Sequence, residues 1–111
     1  MIAGASQGGK LAIELALAGV PIPTHGFIAV VPAIRDPERL ARNAGKAAAR
    51  GVQGWLLTGE RDQFKPAVEE FHTLLLDGGF RCELTVIPKL GHDFPGDFPT
   101  RLSQALNFCL G

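Results

Sequence analysis

A chain of 111 residues, 46% hydrophobic and 20% charged, has room for one hydrophobic core and reads as a single domain over residues 1–111. Equal numbers of basic and acidic side chains leave a formal net charge of zero, which excludes the electrostatic footprint of a nucleic-acid or anionic-lipid binder. The longest apolar runs, LAIELALAGV and GFIAVVPAI, are too short to span a bilayer and are broken by Glu14, Gly19 and Pro32; no secretory leader is visible, and two cysteines expected as free thiols point to a cytoplasmic setting.

The elements follow in chain order. Residues 1–5 form the stub of a strand, and GASQG turns it into a helix over residues 8–18. Lys10 and Glu14 lie one turn apart on that helix, and apolar residues fill the rest of its surface, so burial on most sides is expected. Gly19, Pro21 and Pro23 supply its stop signal. GFIAVVP, residues 26–32, is an unbroken apolar run of the kind found in a strand covered on both faces.

DPERLARNAGKAAARG predicts one helix, with Asp36 as N-cap, Pro37 in the first turn and Gly51 at the end. A short strand over residues 54–58 leads into the polar loop TGERD, and a helix from Pro66 to Asp77 buries Val68, Phe71 and Leu75. Residues 80–87 alternate, with Phe80, Cys82, Leu84 and Val86 on one side, as suits a strand near a sheet edge. A last helix starts near Asp97 and carries Phe98, Leu102, Ala105, Leu106 and Cys109 on one face. Cys82 and Cys109 are expected as buried free thiols. Alternating strands and helices predict an α/β domain, a three-layer parallel sheet with flanking helices joined by right-handed crossovers.

In such sheets ligands gather beyond the carboxyl ends of the strands, which directs attention to three loops. They carry Ser6, Asp62 and His92, in the order known for a nucleophile elbow. Gly4 and Gly8 flank Ser6, and side chains at either position are expected to collide with the neighbouring strand and helix. Ser6 can attack a carbonyl, His92 can shuttle its proton, Asp62 can orient the imidazole, and the backbone N–H of Gln7 can donate to an oxyanion.

Each residue also has an ordinary reading. With 14 glycines in the chain a G-x-S-x-G match alone is weak, Ser6 could cap a helix, Asp62 could be a loop or N-cap carboxylate, and His92 beside Asp93 could be a solvated loop histidine. Glu60 is an alternative acid, His25 sits at the far end of its strand, and His72 reads as part of a solvated helix face. No metal-ligand spacing is present, and GASQGG lacks the second glycine of a dinucleotide fingerprint, so neither a metal nor a dinucleotide is expected.

GASQGGKLAIELAL, GWLLTGERDQF and LGHDFP together resemble the α/β-hydrolase superfamily, in particular its phospholipase/carboxylesterase and dienelactone-hydrolase-like esterases. The resemblance covers the whole chain but only the C-terminal half of the family fold. It implies a cofactor-free serine hydrolase acting on a small-molecule carboxylic ester or thioester, with Ser6 departing from the cysteine of dienelactone hydrolases proper. It also implies an open sheet edge beside residues 1–5, to be met by a second copy or by a separately encoded N-terminal half. The alternative is a truncated homologue that binds or dimerises without turnover.

Overall fold

The computed structural model describes residues 1–18, 24–93 and 96–110. Four strands, β1 (Ile2–Ala5), β2 (Gly26–Val30), β3 (Gln53–Gly59) and β4 (Arg81–Ile87), form one sheet in the order β1-β2-β3-β4. Every neighbouring pair is parallel. Helix α1 (Gln7–Ala18) connects β1 to β2, and α4 (Lys65–Asp77) connects β3 to β4. Between β2 and β3 lie α2 (Pro37–Leu40), a 3-10 turn at Ala41–Asn43, and α3 (Ala44–Ala49); α5 (Phe98–Leu110) follows β4.

The sheet is covered on both faces, giving three layers. On one face the main core joins Ile13 and Leu17 of α1, Phe27 of β2, Ala44 and Ala47 of α3, Leu56 of β3, and Val68, Phe71 and Leu75 of α4. Phe27 stacks on Phe80 with ring centroids 6.0 Å apart, and a Cβ on Gly54 would fall into the Phe27 ring, so the missing side chain makes room for the aromatic pair. On the other face α5 packs Ala105, Leu102 and Phe108 on Ile28 and Trp55, while Phe98 meets Val30 and Leu57. All five residues of β2 are buried, as its unbroken apolar run requires, whereas β4 at the edge alternates exposed Arg81 and Glu83 with buried Cys82.

Three expectations change. The strand expected over residues 26–32 ends at Val30, because Val31 turns to φ +41° while its N–H still reaches Leu57 O at 2.7 Å. Residues 31–34 are apolar because they are buried loop. The single helix expected after Asp36 is broken by the 3-10 turn into α2 and α3; Asp36 does cap the start, its Oδ1 accepting from Arg39 N–H at 3.2 Å. Weak helix formers at Asn43 and Gly45 flank Ala44, and the break lets Pro37, Ala44 and Ala47 all face the core. Finally, α1 buries a stripe of Gly9, Ala12, Ile13, Ala16 and Leu17 while Leu11 stays 54% exposed, so burial on most sides is limited to that stripe.

The stop signal at Gly19, Pro21 and Pro23 lies outside the described residues, as do the side chains of Leu106 and Cys109; Cys82 is a buried free thiol. No helix among the described residues is long and apolar enough to cross a membrane.

Candidate active site

Ser6 is the hinge residue between β1 and α1. Its φ of +54° is a left-handed conformation that costs an ordinary residue about 1–2 kcal/mol, so neighbouring bonds must hold it. Three do. Its N–H donates to Val30 O at 2.9 Å, extending the ladder between β1 and β2, and its carbonyl accepts from Lys10 N–H and Ala33 N–H, both at 3.1 Å. The turn also needs close approach of β1 to α1: a Cβ on Gly4 would overlap Gly8 O and lie 2.5 Å from Gly8 C. A Cβ on Gly8 meets nothing within 4 Å, which corrects the expected collision there. The second tight position is Gly9, where a Cβ would stand 3.2 Å from Gly4 O and 3.3 Å from Pro32. The register of the helical turn decides this, since Gly9 faces the sheet and Gly8 faces away.

Asp62 lies in the loop after β3 and is 4% exposed. Its Oδ1 accepts from Phe64 N–H at 2.8 Å, a local turn bond, so the ordinary reading as a loop-capping carboxylate holds for one oxygen. The other oxygen, Oδ2, is 2.9 Å from His92 Nδ1. His92 comes from the loop after β4, and its Nε2 is 2.7 Å from Ser6 Oγ across 86 residues of sequence. With Nδ1–H donating to the carboxylate, Nε2 is the acceptor for the serine hydroxyl. Phe64 supports the imidazole from the side, with ring centroids 5.4 Å apart at 58°. Gln7 opens α1, so its N–H is among those without an acceptor inside the helix.

One residue essential to this geometry is not evident from side-chain chemistry. Gly59 ends β3, and a Cβ there would strike Leu90 O and come 2.6 Å from Gly91 O. The bare backbone lets the β4–α5 loop settle onto the end of β3, where Glu60 N–H and Arg61 N–H reach Ile87 O and Leu90 O, each at 2.9 Å. That contact delivers His92 to Asp62. A glycine at a strand end, two residues before a candidate acid, is the only sequence signal for it.

The remaining candidates fall elsewhere. Glu60 is exposed and accepts from Lys89 N–H at 3.4 Å, with no bond to His92. His25 is exposed at the amino end of β2. His72 does not sit on a solvated face: it is half-buried, with Nε2 3.1 Å from Cys82 O, and ties α4 to β4. Among the described residues no three His, Cys, Asp or Glu side chains form a group that could hold a metal.

No family model and no curated protein matches the chain by sequence. Solved structures do match. The crystal structure of an uncharacterized protein from Bacillus cereus has a TM-score of 0.88 at 25% identity, over 98% of this chain and 36% of that one. An S-formylglutathione hydrolase from Staphylococcus aureus gives 0.72 at 15% identity, over 98% of this chain and 50% of that one. Acyl-protein thioesterase 2 of Zea mays gives 0.77 at 16% identity, over 98% and 55%. The chain therefore spans between 36% and 55% of the length of these structures.

Proposed function

The chain has the C-terminal half of an α/β-hydrolase fold, and from that premise we propose that it belongs to a serine hydrolase cleaving carboxylic esters or thioesters, with Ser6 as nucleophile, His92 as base and Asp62 as orienting acid. The observation that supports this most is the unbroken chain from Ser6 Oγ to His92 Nε2 at 2.7 Å and from His92 Nδ1 to Asp62 Oδ2 at 2.9 Å.

Mechanism follows from those contacts. Ser6 Oγ attacks the ester carbonyl carbon as its proton passes to His92 Nε2. Asp62, held by Phe64 N–H, fixes the imidazole tautomer and stabilises the imidazolium. Negative charge gathers on the former carbonyl oxygen, and the Gln7 N–H at the positive end of α1 donates to it. Collapse of the tetrahedral adduct breaks the bond to the leaving alkoxide or thiolate, which takes the proton from His92. Water, deprotonated by His92, then attacks the acyl-Ser6 carbonyl, releasing the carboxylic acid and restoring the hydroxyl.

A fluorophosphonate probe tests the assignment. The folded chain is expected to be labelled and its Ser6→Ala variant to remain unlabelled. An unlabelled wild-type chain that is folded by circular dichroism overturns the reading and favours a binding module without turnover.

A further inference from the structure

A cleft of about 400 Å³ runs between α1 and the segment from Ile34 to Asn43, within the size range of small-ligand pockets. Its wall carries five charged side chains: Lys10, Glu14, Arg35, Asp36 and Arg39. Both carboxylates are engaged. Glu14 pairs with Lys10 at 3.3 Å, and Asp36 accepts from Arg39 N–H. Arg35 and Arg39 belong to none of the ion pairs formed by the described residues, and three basic against two acidic side chains leave the lining with one excess positive charge.

Ser6, Asp62 and His92 do not line the cleft, but two of its lining residues make contacts that lead to them. Lys10 lies one helical turn beyond Ser6 and donates its N–H to the Ser6 carbonyl. The Arg35 guanidinium lies over the Phe64 ring, with Cζ 5.1 Å from the centroid, and the same ring neighbours His92. A guanidinium over an aromatic face keeps N–H donors that can fork onto a carboxylate or phosphate.

We infer that Arg35 and Arg39 form an anion subsite, and that the preferred substrate is an ester bearing a carboxylate a short chain away from the carbonyl that Ser6 attacks. The carboxylate meets that excess positive charge, and two-point binding places the ester carbonyl at the nucleophile. The inference rests on Ser6 being the nucleophile only for its kinetic arm; the binding arm is independent of that reading.

For the binding arm, monomethyl adipate is titrated into the full Ser6→Ala chain while the Arg Nε–Hε signals are followed by NMR. The Arg35 and Arg39 signals are expected to move together and saturably, and Arg35→Gln is expected to weaken the binding about tenfold, as the loss of one charge-assisted contact implies. For the kinetic arm, mono-4-nitrophenyl adipate is compared with 4-nitrophenyl hexanoate, and 5-acetoxy-2-nitrobenzoate with 4-nitrophenyl acetate. These pairs separate an anion on the acyl side from one on the leaving group. The anionic ester is expected to win in one pair, and its advantage in kcat/KM to fall about tenfold in Arg35→Gln and in Arg39→Gln. Arg signals that do not respond to monomethyl adipate overturn the subsite whether or not Ser6 is labelled. Turnover without anion preference in either pair overturns it while leaving the hydrolase reading intact.

Discussion

Gly59→Ala perturbs the site without touching any residue that meets the substrate. The added Cβ would strike Leu90 O and lie 2.6 Å from Gly91 O and 2.7 Å from Leu90 C, all of them backbone atoms that no rotamer change can move aside. Either the end of β3 or the β4–α5 loop has to shift, and the loop is the less buried of the two. Overpacking of this kind costs about 1–3 kcal/mol. Losing the bond from Arg61 N–H to Leu90 O adds about 1 kcal/mol, for an expected destabilisation of about 2–4 kcal/mol. Moving the loop by about an ångström takes His92 out of hydrogen-bond reach of Ser6, a misplacement worth about a hundredfold in rate. Urea unfolding measures the first effect, and the second-order rate of fluorophosphonate labelling under fully folded conditions measures the second. Gly91→Ala is the control in the same loop: its Cβ meets nothing within 4 Å, so stability is expected to stay within about 0.5 kcal/mol of the parent. A Gly59→Ala chain with parental stability and labelling rate would refute the argument that this glycine seats His92.

Other substitutions probe the same frame. Gly4→Ala forces β1 and α1 apart and is expected to lower the urea midpoint by the equivalent of about 1–3 kcal/mol. Gly8→Ala, in open space at the start of α1, is expected to raise it by up to about 1 kcal/mol through helix propensity, so the two variants should move in opposite directions. Asp62→Asn keeps the shape of a buried side chain but offers an amide to His92 Nδ1, which favours the wrong tautomer; kcat is expected to fall about 10⁴-fold, as the equivalent change does in the serine-protease triad, with the circular dichroism spectrum unchanged. Thr58 is fully buried in β3, and its hydroxyl has no hydrogen-bond partner among the described residues, so Thr58→Val is expected to stabilise the chain by about 1 kcal/mol in thermal or urea unfolding.

What could be read from the sequence divides by the range of the interaction that decides it. The order of strands and helices rests on local periodicity, and Ser6, Asp62 and His92 were legible because each is a chemically capable side chain in a loop leaving the carboxyl end of a strand. Parallel connection alone brings such loops to one rim. Features set by what lies across the fold were hidden. Apolar residues 31–34 look like strand because burial, not ladder pairing, is what hydrophobicity reports. The two glycines after Gln7 are equivalent in composition, and only the facing Gly4 carbonyl and Pro32 make Gly9 the tight one. His72 reads as solvated among Glu69, Glu70 and Thr73 because the carbonyl that it meets belongs to Cys82 on another element. Arg35 is the clearest case: in RDPERL it is one more charge before a helix, and only the Phe64 ring, delivered by the loop after β3, links it to His92. Sheet topology can therefore be used to find from sequence the side chains that meet at one rim, whereas contacts between separate crossovers are not legible in it.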